Sequence, residues 1–436
     1  MPSALHIDPS PLDAARAGAV VVALSGGLDS TVLLDVLASR ADVRARGLRA
    51  VHVHHGLHAE ADQWAAQCAA ACAARDVPFR SVRVHVRPSG AGVEAAAREA
   101  RHGALLGCCA PGEVVALAHH RDDQAETFLL RALRASGPDG LASMRPWRRF
   151  GHGWMWRPLL GLPRDVLRDY AQERGLRWVE DPSNDVDAHD RNHLRLHVMP
   201  MLRARWPHAA AALSAAADAC AEASTLLAAE DARHLDAARV ADDMLDLGVL
   251  LGLDAPRRAR VLRAWVDALG LPPLPREGLR RIEAEVLAAR RDGEPEFAWH
   301  GARVRRWRDR LHATVSVPPL DPAWSAAWSG EHPLDLPDGG CLRLVPPIAL
   351  PDPVRVGARR GGERIRLAGR AHRHRLKHVL QDRGVPPWER EHLPLLTAGT
   401  GELLAAGDVV TSAEFERLLD GFGSRLLWSR PGAARR

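Results

Sequence analysis

The chain has 436 residues and only one lysine, Lys377; the other members of its basic total of 59 are arginines. A Walker A loop ends in Gly-Lys-Ser/Thr and uses its lysine on the outer phosphates. Lys377 stands between Leu376 and His378, so no such loop exists. A kinase Val-Ala-Ile-Lys strand is excluded on the same ground. Six cysteines occur and none forms a C-x-x-C pair, so zinc-ribbon and thioredoxin signatures are missing. Cys68 and Cys72, one helical turn apart in an Ala-rich stretch, read as small core residues. No apolar run approaches the roughly 18 residues of a membrane span. Met1 to Asp13 carries Asp8, Pro9, Pro11 and Asp13 in place of a basic-then-apolar signal. The expectation is a reduced, cytoplasmic setting with no membrane partner.

Hydrophobic residues make up 46% and charged residues 26%, a globular mix. The length suggests two to four domains. The formal net charge is +5, and its distribution is uneven. Pro351 to Arg383 holds ten Arg/Lys against three acids, Asp352, Glu363 and Asp382. A patch this basic suggests a polyanionic partner, nucleic acid first, against the plainer reading of a solvated face. Arginine adds a fork that grips phosphate and never loses its charge.

Residues 19–24 form a continuous apolar run ending in Ser-Gly-Gly, the pattern of a buried parallel strand. Strands are also expected at 48–54, 82–86 and 114–118. Helices are expected at 31–40, 59–75, 93–106 and 123–134, with another at 163–175. This alternation predicts a doubly wound α/β domain with a parallel sheet. Its ligands should sit beyond the carboxyl ends of the strands, where Ser25, His54 and His119 fall. The reading continues with a catalytic domain over 1–210, a helical domain over 211–315, a Pro-rich linker over 316–352 and a small basic α+β domain over 353–430.

Four motifs carry chemistry. Ser25-Gly26-Gly27-Leu28-Asp29-Ser30 lies between the first strand and a helix. Glycines turn the backbone tightly, and a helix start favours anions. Asp29 would repel phosphate unless a metal intervenes, so Mg²⁺ is expected beside it. His119-His120-Arg121-Asp122-Asp123-Gln124-Ala125-Glu126 follows the fourth strand. It suits proton handling, with helix capping by Asp122 and Asp123 as the competing reading. Glu126, three residues after Asp123, shares its face. His52-Val53-His54-His55-Gly56-Leu57-His58 suggests a nucleotide-lining strand end more than a metal site. Asp181 to Asp185, then Asp190-Arg191-Asn192 and Arg195, is too polar for core. Its two arginines could share one phosphate-bearing partner, unless they make ordinary salt links.

The Ser-Gly-Gly-x-Asp-Ser fingerprint resembles the PP-loop family of N-type ATP pyrophosphatases. The full order of motifs is similar to the tRNA(Ile)-lysidine synthetase family. The further matches are Ser136 to Leu141, Arg157-Pro158-Leu159-Leu160, Asp181/Ser183/Asn184 to Arg191-Asn192, and Leu376-Lys377 to Trp388. The resemblance implies ATP-dependent adenylation of a wobble cytidine in tRNA(Ile) with a CAU anticodon, then attack by free L-lysine. It implies that Ser25, Gly26, Gly27, Leu28, Asp29 and Ser30 hold ATP, with Asp29 near Mg²⁺. His119, His120 and Asp123 would orient the base or manage the amine proton. Glu126 would bind the lysine cation, and Arg191 would stabilise negative charge. The basic C-terminal domain would grip tRNA. Oligomeric state has no signature in the residues. A PP-loop tRNA thiolase is the nearest alternative, disfavoured by the cysteine spacing. A catalytically inert RNA-binding protein is the alternative from another class.

Overall fold

A computed structural model describes residues 5–56, 58–86, 93–180, 187, 190–290, 293–370 and 372–430. Two compact units divide the chain at Leu227/Ala228, inside the helix Ala209–Ala238.

The first unit is built on a six-stranded sheet. Its strands are β1 (Val20–Ala23), β2 (Leu48–His54), β3 (Phe79–Arg83), β4 (Val114–Ala116), β5 (Trp147–Phe150) and β6 (Gly153–Trp156), in the order β3-β2-β1-β4-β6-β5. All neighbours are parallel except the β5/β6 hairpin. β1 sits centrally and shows why its sequence is apolar throughout. Val20 and Val22 face one core with Leu33, Leu37 and Trp156. Val21 faces the other with Val51, Val115, Phe150 and Met155. Side chains alternate faces along a strand, so burial on both sides removes any polar position. The helices α1 (Leu28–Ala38), α2 (Ala61–Ala73), α3 (Val93–Gly107), α4 (Arg121–Leu133) and α5 (Arg164–Glu173) follow.

The sheet differs from the sequence reading in two places. The third strand lies at Phe79–Arg83 and not at 82–86. β5 and β6 have no counterpart in the sequence reading; residues 151 and 152 make the tip of this hairpin. Exposed Arg148 and Arg149 interrupt the hydrophobic pattern, and Arg149 lies 3.8 Å over the Trp154 ring.

In the second unit, a five-stranded antiparallel sheet runs through Arg239–Ala241, Met244–Asp246, Arg310–Val315, Ala302–Trp307 and Glu296–Trp299. It packs with the helix Ala255–Ala268 around Leu245, Trp265 and Val304. The stretch read as a helical domain is therefore mixed, with its strands concentrated after residue 294. The stretch 316–352 is not a linker. It contains the strands Ser325–Trp328 and Cys341–Val345, and Leu320, Trp328, Leu342, Leu344 and Leu350 sit in one core with Leu376, Leu396 and Phe415. Prolines here separate short strands that pair with distant partners, such as Leu344 with Leu426. The basic segment contains the helix Leu376–Asp382, with Lys377 exposed on it. Arg364, Arg370, Arg375 and Lys377 are exposed and form no ion pair among the described residues. Among the described residues, no helix is long and apolar enough to cross a membrane.

Candidate active site

The carboxyl ends of β1 and β4 deliver the two main motifs. β1 runs into Ser25-Gly26-Gly27, and α1 starts at Leu28 with Gly27 as its extended N-cap residue. Gly26 has φ +91°, and a Cβ there would lie 3.0 Å from the Cys68 sulfur, so only glycine fits. Ser30 Oγ accepts from the amides of Ser25 (3.2 Å) and Gly26 (3.1 Å) and donates to the Gly27 carbonyl (3.0 Å). The hydroxyl thus shapes the loop. The anion-binding donors that remain are the first-turn amides of Leu28, Asp29 and Ser30, which have no carbonyl behind them in the helix.

Beneath the loop, His52 Nδ1 donates to the Leu24 carbonyl at 2.9 Å, and Cys68 lies 3.7 Å from the same nitrogen. His52 is buried and braces β2 to β1, while His54 pairs with Asp62 at 3.1 Å. The histidine-rich strand end is thus a support. Leu57 lies outside the described residues, as do Asp181 to Asp185.

His120 is the N-cap of α4 and forms a reciprocal box with Asp123. Its amide donates to Asp123 Oδ2 at 3.1 Å, and the Asp123 amide donates to His120 Nδ1 at 3.4 Å. Its Nε2 lies 3.6 Å from Asp29 Oδ2 and 3.4 Å from Asp123 Oδ2, so it joins the two motifs. Burial opposes a charge on this ring, but Asp29, Asp123 and Asp122 outweigh it and raise its pKa. Asp122 works elsewhere. Its Oδ2 accepts the Arg164 amide at 2.9 Å at the start of α5, and its Oδ1 pairs with Arg203. Asp122 caps α5, while Asp123 both closes the α4 box and faces the site, so the two alternatives of the sequence reading coexist.

Asp29 is partly exposed, yet its Oδ1 is buried and accepts no hydrogen bond among the described residues. The Arg164 Nε is 3.8 Å away and likewise makes no hydrogen bond among the described residues. An orphaned carboxylate oxygen at the edge of an anion-binding helix start is a donor suited to a hard cation, so Mg²⁺ fits here.

Asp123 and Glu126 face Arg191 and Arg195. Arg191 Nη2 reaches Asp123 Oδ1 at 2.9 Å, and its Nε reaches Glu126 Oε2 at 2.9 Å. Arg195 Nε reaches Glu126 Oε1 at 2.8 Å, and its Nη2 lies 3.2 Å from Asp123 Oδ1. Although burial pushes the Asp123 carboxyl up, His120, Arg191 and His119 bring it down to about 2. Glu126 is 2% exposed, and both its oxygens are taken by guanidiniums. The arginine pair therefore has carboxylate partners, the salt-link alternative of the sequence reading.

His119 points to Arg157, a residue met in the sequence only as part of a motif. Arg157 is 7% exposed, and its Nε–H donates to His119 Nδ1 at 3.1 Å. Burial and the nearby Arg148, Arg98 and Arg131 lower Arg157 to about 10, so it stays charged at neutral pH. Arginine only donates, so His119 Nδ1 is the acceptor and its proton sits on Nε2. Desolvation lowers the His119 pKa; Asp123 opposes this, and Arg157 and Arg191 reinforce it. A depressed histidine contributes stability that is present above its unfolded value, near 6.5, and lost as pH falls below that. The stability of the first unit to urea should therefore fall more steeply as pH drops from about 6.5 to 5 than it does in His119→Gln, by up to about 1.4 kcal/mol per pH unit. Equal slopes in the two proteins would show that the ring protonates freely in the native state.

Three family models match the chain: a PP-loop domain over residues 7–202, a TilS substrate binding domain over 245–312 and a TilS substrate C-terminal domain over 354–428. A tRNA(Ile)-lysidine synthase of Xanthomonas campestris pv. campestris (strain 8004) is 52% identical over 94% of this chain and 94% of its own length. The enzyme of the same name from Xylella fastidiosa (strain Temecula1 / ATCC 700964) is 50% identical over 94% of each chain. That of Yersinia pseudotuberculosis serotype I (strain IP32953) is 39% identical over 90% of each.

Proposed function

The chain belongs to the tRNA(Ile)-lysidine synthase family, and from that premise we propose how its own residues make lysidine. As a member it is an ATP-using ligase acting on tRNA(Ile). The substrate is the first anticodon cytidine of the CAU-bearing tRNA, and the second substrate is free L-lysine. In the first step, the cytosine O2 attacks the α-phosphorus of ATP and pyrophosphate leaves. In the second, the lysine ε-amine attacks carbon 2, the bond from that carbon to the AMP oxygen breaks, and AMP departs. The amine gives up its protons as the new C–N bond forms. The reaction takes place in the cytoplasm.

The observation that carries this reading is the convergence of open helix-start amides with a cluster of three carboxylates, two histidines and two arginines. The amides of Leu28, Asp29 and Ser30 bind the phosphates, while Ser25, Gly26 and Gly27 set their direction. Asp29 would hold Mg²⁺, which neutralises phosphate charge. His119, fixed by Arg157 with its proton on Nε2, donates to the base or its phosphate. His120, raised by its carboxylate neighbours, links Asp29 to Asp123 and, with Asp123, manages the amine proton. Arg191 and Arg195 stabilise the developing negative charge. Lysine enters by exchange, its ammonium replacing a guanidinium at Asp123 and Glu126. The exposed arginines of residues 354–383 bind tRNA phosphates, giving salt-dependent affinity.

The test mixes protein, ATP, Mg²⁺, radiolabelled lysine and a tRNA(Ile) transcript with a CAU anticodon. A second transcript carries uridine at the first anticodon position. Label is expected in the first transcript and not in the second. AMP release without label would retain adenylation and overturn lysine as the nucleophile.

A further inference from the structure

The segment Asp190–Val198 presents two chemically different faces. Arg191 and Arg195 reach Asp123 and Glu126. His193 and His197 follow each arginine by two residues, which is about 200° around a helix, and both meet Asp187. His193 Nδ1 lies 3.1 Å from Asp187 Oδ1, and His197 Nε2 lies 3.1 Å from Asp187 Oδ2. The two imidazole centroids are 5.0 Å apart. One ligand atom from each of the three residues lies within 4.8 Å of the others. The side chains are open to solvent at 46% for Asp187, 56% for His193 and 52% for His197. Leu194–Val198 forms a π-helical turn, a local widening that recurs at functional sites.

We propose that Asp187, His193 and His197 form a binding site for a zinc-class divalent cation on the side of this turn away from the arginines. The donor set is two imidazoles and one carboxylate, which selects Zn²⁺, Co²⁺ or Ni²⁺ over the hard cations Mg²⁺ and Ca²⁺. Tetrahedral bonds of about 2.0–2.2 Å separate neighbouring ligand atoms by roughly 3.3–3.5 Å. Two of the three separations are already close to that, and side-chain rotation brings in the third. Two histidines at i and i+4 are the helical spacing that chelates zinc. A fourth position is left for water. Without metal, the carboxylate accepts a hydrogen bond from each ring; with metal, those two nitrogens become the ligands and each ring carries its one proton on its other nitrogen. The cation ties Asp187 to the turn that carries Arg191 and Arg195, so it braces the arginine face from behind. This site is separate from the Mg²⁺ position at Asp29 and does not depend on the proposed reaction.

The experiment titrates the untagged full chain with Co²⁺ alone and records visible absorption and bound metal. One equivalent is expected, with the intense bands of a low-coordinate site, displaced by Zn²⁺ and retained in a large excess of Mg²⁺. His193→Ala/His197→Ala should lose the bands. Asp187→Asn should weaken binding at least tenfold. His208→Ala, an exposed histidine outside the cluster, should bind as the parent does. All three substituted ligands are exposed, so folding is not at issue, and circular dichroism checks it. Bands that survive in the double variant, that vanish with Mg²⁺, or that never form would overturn the site.

Discussion

Asp29→Asn is expected to lower lysine incorporation by about 10²–10³-fold, the range seen when one pre-aimed electrostatic group is removed from a transition state. The substitution keeps size and hydrogen-bonding capacity but deletes the charge. The loss falls on the oxygen that accepts no hydrogen bond among the described residues, Asp29 Oδ1. It also removes one of the carboxylates that raise His120. Stability should change by less than about 1 kcal/mol, because the group is partly exposed and what is lost is its helix-dipole contribution and two long contacts, to His120 at 3.6 Å and Arg164 at 3.8 Å. ATP–pyrophosphate exchange in the presence of tRNA should fall in parallel. Intact exchange with lost lysine transfer would move Asp29 from the first step to the second.

Glu126→Gln should produce a different pattern. Glu126 is buried and pairs with both arginines. Breaking a buried pair costs about 3–5 kcal/mol when nothing compensates. Here Asp123 remains as a second partner and the arginines are partly solvated, so about 2–3 kcal/mol is the expectation, read as a drop of several degrees in the melting of the first unit. If lysine enters by exchange at this carboxylate, its KM should rise at least about tenfold, the scale of one charged hydrogen bond, while the KM for ATP holds. Glu126→Asp should recover part of the lysine affinity. A stability loss with an unchanged lysine KM would leave Glu126 a purely positioning residue.

The parts of the fold visible in the sequence are those where local pattern and tertiary role coincide. The run Ala19 to Leu24 followed by Ser-Gly-Gly reads as a central strand because burial on both faces leaves no polar position. The start of α4 is legible because capping is a local device, although the sequence reading assigns it to Asp122 and Asp123 and the structure gives the N-cap to His120. The hairpin Trp147–Trp156 was hidden by two exposed arginines. Strands between 325 and 345 were hidden because their partners lie as far away as residues 425–429. The Arg191–Glu126 and Arg195–Glu126 contacts span 65 and 69 residues, a separation that helical spacing does not reveal. The i,i+4 spacing of Arg191 and Arg195 did show that they act together. It could not show that carboxylates, and not a phosphate, hold them. Arg157 left no signal beyond its motif, since a buried arginine is unusual on composition alone.

The lone lysine has a consequence for fidelity. An adenylated cytosine is an electrophile, and a primary amine on a neighbouring side chain would be a rival to the intended one. Residues 1–227, which contain the whole of the candidate active site, have no lysine. Lys377 stands on a helix of the other unit. Arginine, which supplies all the cationic side chains of the first unit other than histidine, keeps its proton and is a poor nucleophile at neutral pH. The activated base therefore meets no side-chain amine of that unit, and self-capture by an amine, which would leave the enzyme covalently joined to its own tRNA, has no lysine there to begin it.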